Sequence, residues 1–258
     1  FDADVKEEYS KLTDFQGEPR VIQHPTAAAL EGLDLVFLAG DRETSLTFGR
    51  LAGEKTYGAL DLTGAFSDQE DFPLIVAGVN DSVLSARPAH LIVNPHPVTI
   101  ILASLLHRLI GKFGLAKAVA FVLQPVSAFD ESGIEELANQ SAAMLSGESS
   151  SRGVFRDQIA FNILSHTEAP DANGFSSAER QVLAEIKRVL GRPELPLSLS
   201  IIQAPIFHTY SIMAYVEPAT ETSIKDLERT YKASPLFKIA APSPSCSVTC
   251  LSVAGKEE

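Results

Sequence analysis

The stretch Leu91-Ile-Val-Asn-Pro-His-Pro-Val-Thr99 is where this chain would most naturally place a reactive side chain. A short apolar strand, Leu91 to Val93, ends in Asn94-Pro95, and a long apolar helix, roughly Val98 to Phe113, follows at once. A strand–turn–helix junction presents a side chain to a helix N-terminus, whose free N–H groups and dipole favour an anion. A cysteine there would have a depressed pKa and act as a nucleophile. Pro97 stands at that place instead. Proline suits the first turn of a helix and performs no covalent chemistry.

Other reactive side chains are scattered. His96 could be a general base or a metal ligand, but a polar loop histidine at a sheet edge is the simpler reading. Tyr210 could donate a proton only with a lowered pKa, and no partner lysine can be placed, so it reads as a packed strand tyrosine. Ser127 lacks Gly-x-Ser-x-Gly surroundings and reads as turn chemistry. Cys246 and Cys250 would share one face of a strand over Val248 to Val253 and its approach. With no histidine or third cysteine close by, buried cysteines are preferred to a redox pair or a zinc site, and no metal is expected. Asp68, Glu70 and Asp71 read as a solvated loop.

The elements that must position these residues change character along the chain. In the first part, short strands alternate with helices: Arg20–Gln23, Leu33–Leu38 (buried), Ala59–Leu62, Pro73–Val79 and Ala89–Val93, with helices at Thr26–Leu30 and at Asp41–Leu51, the latter N-capped by Asp41. Such alternation predicts a parallel sheet with ligands at the strands' carboxyl ends, here Ala39-Gly40, Thr63-Gly64, Asn80 and Asn94. In the second part, strands at Ala116–Gln124, Leu197–Ile202, Tyr210–Val216, Phe237–Ala240 and Val248–Val253 mix with helices at Gly133–Leu145, Ser177–Leu190 and Ile224–Tyr231. Phe155–Leu164 reads as extended, Ser146–Ser151 and Pro242–Ser247 as loops, and Ser176 or Ser177 as a helix cap. This order suggests an α+β domain with a mixed, largely antiparallel sheet and helices on one face. The boundary falls near Pro95 to Pro97.

Composition narrows the classes. The chain has 258 residues, 45% hydrophobic and 21% charged, enough for two domains. A net charge of −12 argues against nucleic-acid binding, which wants a basic face. No apolar run reaches the length of a membrane span. Two cysteines make no disulfide framework, so a cytoplasmic location is expected. The chain opens at Phe1 inside a charged amphipathic segment, Asp4 to Leu12, and closes on Gly255-Lys-Glu-Glu258, so both ends read as cut.

From about Leu33 to Val253 the chain resembles the aspartate-semialdehyde dehydrogenases. The resemblance rests on Leu35-Val-Phe-Leu-Ala-Gly40, Leu60-Asp-Leu-Thr-Gly-Ala-Phe66, Pro73-Leu-Ile-Val-Ala-Gly-Val-Asn80, Asn94-Pro95, Gln124-Pro-Val-Ser127, Gly133-Ile-Glu-Glu-Leu137 with Gln140, and Ile159-Ala-Phe-Asn162, in that order. It implies a partial, Rossmann-type NAD(P)-binding domain over 1–96 and a catalytic-type dimerisation domain over 97–258. NADP is the implied cofactor, with Ala39, Gly40, Thr63 and Asn80 as remnant contacts. The family's glycine-rich phosphate loop would lie upstream of Phe1, which puts cofactor binding by this chain in doubt. A homodimer through the second domain is implied, with Ile201, Ile202, Ile212, Met213 and Val216 as its candidate face.

The resemblance also locates what has changed. The family's nucleophilic cysteine falls at Pro97. Its substrate-binding arginine falls at Gln203, before Ala204-Pro205-Ile206, and its base histidine at Tyr210, with His208 two residues earlier. Its substrate-site glutamate and lysine fall at Ala178 and Gln181, taking Glu185 as the anchor. The glycines after its Gln-x-x-Ser motif fall at Ala128, Phe129 and Asp130. Gln124 and Asn94 remain. Acyl transfer from an aldehyde needs a thiolate, a base and a cation for the carboxylate. Their joint loss implies a catalytically degenerate member with a structural or regulatory role, alone or beside an active paralogue. Two alternatives are an NADP-dependent oxidoreductase of altered chemistry in amino-acid metabolism, reusing Gln124, His96 or Tyr210, and a ligand sensor without turnover.

Overall fold

The computed structural model describes residues 1–6, 11–54, 57–86, 89–149, 152–165, 169–240 and 248–255. Its contacts divide the chain into two compact units, Phe1–Ala103 with Arg188–Gly191, and Ser104–Lys187 with Arg192–Glu258.

The first unit opens with a hairpin, β1 (Leu12–Phe15) against β2 (Glu18–Val21), turned at Gln16-Gly17. A parallel sheet follows in the order β3 (Leu35–Leu38), β4 (Gly58–Asp61), β5 (Leu91–Val93), with α1 (Arg42–Arg50) between its first two strands. Asp41 caps α1 as expected, accepting from the Thr44 backbone N–H at 2.9 Å and from the Thr44 hydroxyl. Gly49 lets α1 lie against the core, since a Cβ there would come within 2.6 Å of the Phe66 ring. Between β4 and β5 lies the short helix α2 (Ser82–Ala86).

Three expectations fail in this unit. Leu33–Leu38 is no buried strand: β3 ladders with β4 alone, and Leu35 and Phe37 are exposed while Leu38 is buried. Thr26–Leu30 forms turns rather than a helix, with the Thr26 hydroxyl accepting from Ala29 N–H. Pro73–Val79 contributes a single parallel bridge, Leu74 to Val93. Asn80 closes that segment on itself, accepting from Val76 N–H at 2.8 Å and donating to the Leu74 carbonyl at 2.9 Å. The side chain satisfies backbone groups that a longer strand would have paired.

The helix α3 (Pro97–Phe113) leads into the second unit. There a mixed sheet has the order β7 (Leu197–Gln203), β6 (Lys117–Gln124), β8 (Ser211–Glu217). β6 pairs parallel with β7 and antiparallel with β8. A 3-10 turn over Val126–Phe129 enters α4 (Asp130–Ser146), and α5 (Ser177–Val189) precedes β7. Gly133 is required where α4 meets that turn, since a Cβ would sit 2.3 Å from the Val126 carbonyl oxygen. Ser176 caps α5 through a reciprocal box with Glu179. Ser223 caps α6 (Ile224–Lys232), whose Tyr231 hydroxyl donates to the Leu105 carbonyl at 3.0 Å.

Register decides which sheet face is covered. Ala118, Ala120, Val122 and Gln124 of β6 are buried, and so are Leu199, Ile201 and Gln203 of β7. The opposite face carries Phe121, Met213 and Tyr215, all exposed, with Val119 paired to Tyr215 and Phe121 to Met213. Of the expected dimer face, Ile202 and Met213 therefore lie on the open side. Ile201, Ile212 and Val216 lie on the other, because pairing is with Leu197–Ile201 parity on one side and Val122 to Ile212, Ala118 to Val216 on the other.

Three more expectations change here. Phe155–Leu164 is a loop with one bridge, Leu164 to Gln203. Phe237–Ala240 makes no strand, and Phe237 packs edge-on against Tyr231 at 5.0 Å. Val248–Val253 contains the helix α7 (Cys250–Val253), because Thr249 and Ser252 form a capping box. The expected loop at Pro242–Ser247, Cys246, Ser151 and most of the Asp4–Leu12 segment's charged middle lie outside the described residues. Among the described residues, no helix is long and apolar enough to cross a membrane.

Candidate functional site

The junction before α3 is built by backbone bonds around Asp61. Its buried carboxylate accepts from the Thr63 N–H and hydroxyl and from the Phe66 N–H at 3.0 Å, fixing the turn after β4. Asn94 N–H donates to the Asp61 carbonyl at 2.8 Å, so β5 ends beside that turn. His96 then starts α3: its Nδ1 accepts from Val98 N–H at 3.1 Å, and its carbonyl accepts from Ile100 N–H. The imidazole acts as a helix cap through the lone pair a base would use. Pro97 is the first residue of α3 and is exposed. Its missing N–H is one that a helix start leaves unpaired in any case.

In the second unit, Gln124 and Gln203 come together at the carboxyl ends of the adjacent strands β6 and β7. Gln203 is 2% exposed and donates to the carbonyls of Gln124 and Ala204 at 3.0 and 3.3 Å. Gln124 donates to Gln203 Oε1 at 3.3 Å, and its own Oε1, shielded from water, has no partner among the described residues. Two neutral amides carry no charge with which to hold a carboxylate bidentately. Ala178 and Gln181 lie on α5, where Gln181 donates to the buried Glu185 at 2.8 Å. Ala128 and Phe129 lie in the 3-10 turn and Asp130 starts α4.

Tyr210 lies just before β8. Burial pushes its phenol up from the ordinary value, the opposite of what proton transfer near neutrality needs. Its neighbour Thr209 has φ 73°, a left-handed backbone that a β-branched residue adopts only under constraint. Around it gathers a group the sequence did not bring together. Cys250 Sγ lies 3.2 Å from the Ser211 hydroxyl, and the Thr209 hydroxyl donates to the Cys250 carbonyl at 3.4 Å. Hydrogen bonds from Ser211 and Thr209 hold the Cys250 thiol below its usual range. Cys250 is half-buried at a helix start, a correction to the buried-strand reading. Among the described residues no cluster of three or more His, Cys, Asp or Glu could hold a metal.

Two further networks were missed. Glu136 on α4 accepts from the N–H groups of Gly153, Val154 and Phe155, and Gln140, one turn on, accepts from Ile159 and Ala160. Glu179 accepts from Ser176 and from Ile201 N–H of β7 at 2.9 Å. The signal for Glu179 was present as Ser176-x-x-Glu179. The signal for Gln140 was not, since its partners lie far along the chain.

NADP, the cofactor the resemblance implies, meets a poor donor set here. Ala39 and Gly40 border a cavity of about 710 Å³ beside β3 and α1. Phe1, Asp2, Asp4 and Asp41 line it, and among the described residues no Lys, Arg or His side chain does. The N–H groups at the start of α1, which could hold a phosphate, face the Asp41 carboxylate instead. Thr63 is engaged with Asp61 and Asn80 with its own loop. The described residues do not fit a dinucleotide phosphate.

Residues 106–254 match the family model described as semialdehyde dehydrogenase, dimerisation domain. The chain is 29% identical over 199 residues to an aspartate-semialdehyde dehydrogenase of Rickettsia bellii (strain RML369-C), covering 77% of this chain and 59% of that protein. It is 28% identical over 200 residues to a USG-1 protein homolog of Pseudomonas aeruginosa, covering 78% of this chain and 60% of that protein. The chain thus spans about three fifths of the length of these relatives. The crystal structure of aspartate semialdehyde dehydrogenase II from Vibrio cholerae, complexed with ASA, superposes with a TM-score of 0.83 at 22% identity, covering 90% of this chain and 69% of that one. The fold is that of these proteins, a parallel sheet with helices followed by a mixed sheet. With the dimerisation model spanning more than half its length, this chain belongs to the semialdehyde dehydrogenase family.

Proposed function

We propose that this chain keeps the fold and pairing surface of its family without the family's reaction, and serves as a structural or regulatory dimer subunit. Residues 97–258 form the dimerisation part and 1–96 a partial nucleotide domain. The observation that carries the reading is Pro97 heading α3 where a thiolate would be needed, since proline has no nucleophilic atom with which to open an acyl-transfer route. Gln203 and Tyr210 support it: a buried neutral amide offers no charge to a substrate carboxylate, and a phenol raised by burial is a poor base. The pairing surface is the open face of the second sheet. Phe121, Met213 and Tyr215 are exposed there. Apolar faces of this kind match the interiors of permanent dimers. The partner is a second copy or an active paralogue. Location in the cytoplasm belongs to the same reading.

The test is phosphate-dependent oxidation of aspartate semialdehyde with NADP by the purified chain, followed at 340 nm, beside an active aspartate-semialdehyde dehydrogenase. No turnover is expected even at substrate saturation. Turnover that survives repurification and scales with protein would overturn the proposal.

A further inference from the structure

One turn of the second unit brings together the residues for a spontaneous covalent change. Asp171-Ala-Asn-Gly174 closes through the Gly174 N–H, which donates to the Asp171 carbonyl at 3.0 Å. Asp171 Oδ1 accepts from Asn173 N–H at 2.8 Å and from Phe175 N–H at 3.0 Å. Arg180 of α5 ties the turn down, donating to Asp171 Oδ2 at 2.8 Å and to the Phe175 carbonyl at 3.2 Å. Gly174 has φ 84°, which a residue with a side chain resists. Asn173 and Gly174 are exposed, and the Asn173 side chain makes no hydrogen bond among the described residues.

We propose that Asn173 is a site of covalent modification, where the side chain closes on the Gly174 backbone and reopens as aspartate or isoaspartate, loosening the entrance to α5. The Gly174 nitrogen attacks Asn173 Cγ, the Cγ–Nδ2 bond breaks, and ammonia leaves with the proton that the Gly174 nitrogen gives up. Water then opens the five-membered succinimide. Opening at the side-chain carbonyl leaves aspartate. Opening at the main-chain carbonyl leaves isoaspartate, with one extra carbon in the chain. The reaction is a substitution and a hydrolysis, so it needs no oxidant or reductant.

The other four asparagines are protected. Asn94 precedes Pro95, whose nitrogen carries no proton. Asn80 and Asn162 hold both ends of their amides in hydrogen bonds. Asn139 lies inside α4, where the helical ladder holds the next N–H. Asn173 alone is followed by a residue without a side chain, so nothing crowds the attacking nitrogen. The product is disruptive for the same local reasons. The succinimide nitrogen has lost the proton that closed the turn, and isoaspartate lengthens the chain between Asp171 and Phe175. The Phe175 N–H then moves off the Asp171 carboxylate, immediately before the Ser176 cap of α5.

The experiment holds the wild-type chain at mildly alkaline pH, native and in urea, and follows peptides by fragmentation mass spectrometry. A gain of about 1 Da is expected at Asn173 ahead of every other asparagine, as a mixture of aspartate and isoaspartate. The native rate should be roughly fivefold to a hundredfold below that in urea, because the turn must open before attack. Asp171→Ala removes the carboxylate that holds two of the turn's N–H groups, and should raise the native rate at least about threefold. Asn173→Gln should abolish the gain, since its ring would need a sixth member. In the isoaspartate form, separated by anion exchange, the Phe175 amide should exchange at least about tenfold faster than in the unmodified chain. The proposal is overturned by a native chain that gains mass first at another asparagine, or by aspartate without isoaspartate. It is equally overturned if Asn173 stays intact in the native chain while it converts fully in urea, or if the isoaspartate form keeps Phe175 protected. These four results need no variant, so a misfolded mutant cannot hide them.

Discussion

Replacing Gln140 by leucine should loosen one loop far more than the rest of the protein. Gln140 is fully buried on α4, and its Oε1 accepts from Ile159 N–H at 2.9 Å and Ala160 N–H at 3.2 Å. Both donors belong to residues with no solvent exposure. Leucine keeps the size but removes the acceptor, leaving two backbone N–H groups unpaired and dry. Each such group costs about 1–3 kcal/mol. The sum, about 2–6 kcal/mol, falls to about 2–5 kcal/mol with the added apolar contact with the cluster of Val126, Leu137, Phe155, Ile159 and Leu164. Hydrogen exchange read by mass spectrometry gives the cleanest assay, because a chain of two units need not unfold in one step. Peptides over 153–164 should lose protection by roughly 30-fold to a few thousandfold, at about 1.4 kcal/mol per tenfold. Peptides over β5 in the first unit should not change. Unchanged protection at 159 and 160, or an equal loss everywhere, would refute the claim that Gln140 is what holds this loop.

Three further outcomes are expected. Hydrogen bonds from Thr44 hold the Asp41 carboxyl below its usual range, so its capping is complete above an ordinary carboxylate pKa and fades as pH falls through the lower folded value. Thr44 and Ser45 amides should therefore exchange faster near pH 3 and in Asp41→Ala, while Asp41→Asn stays near wild type; identical exchange in all three would exclude the cap. In a Cys246→Ser background, alkylation of Cys250 by iodoacetamide should titrate below the range of an ordinary thiol, and Ser211→Ala should move the midpoint back up; a midpoint already at the ordinary value speaks against activation by Ser211 and Thr209. Met213→Lys with Phe121→Lys should convert a species of twice 27.7 kDa into monomer in light scattering, with unchanged far-ultraviolet circular dichroism; a persisting dimer would place the interface elsewhere.

The elements with strong periodicity were legible in the sequence. The Asp41 cap, α3, β6, α4 and α5 all stand where their apolar spacing and cap residues put them. The failures share a cause. Pro73–Val79 and Phe155–Leu164 are apolar enough to read as strands, but their backbone groups are satisfied by Asn80 and by Glu136 and Gln140. Side-chain acceptors, whether four residues away like Asn80 or nearly 20 like Gln140, leave no periodic trace. Val248–Val253 misled because a four-residue helix can be carried by its capping box alone. The open sheet face was foreseen, but its residues were not all named correctly, since a one-residue change of parity moves every side chain to the other side. At the candidate site, Pro97, Gln203 and Tyr210 could be singled out from the sequence, whereas the bonding of Gln124 to Gln203 and the meeting of Cys250 with Ser211 depend on contacts between distant segments, and the capping role of His96 on the local turn its backbone adopts.

The amide pair at the ends of β6 and β7 contains no titratable atom. An arginine in that position would hold a charge whose solvation must be balanced by a counter-ion, and the site would reorganise whenever that balance changed. Gln124 and Gln203 bond to each other and to two carbonyls in the same way in acid, in base and in salt. The amide pair is therefore deaf to its ionic surroundings, and a response of this unit to pH must arise at other groups, Cys250 and Tyr210 at its margin among them. Where a charged pocket acts as a receiver, this one acts as a keystone.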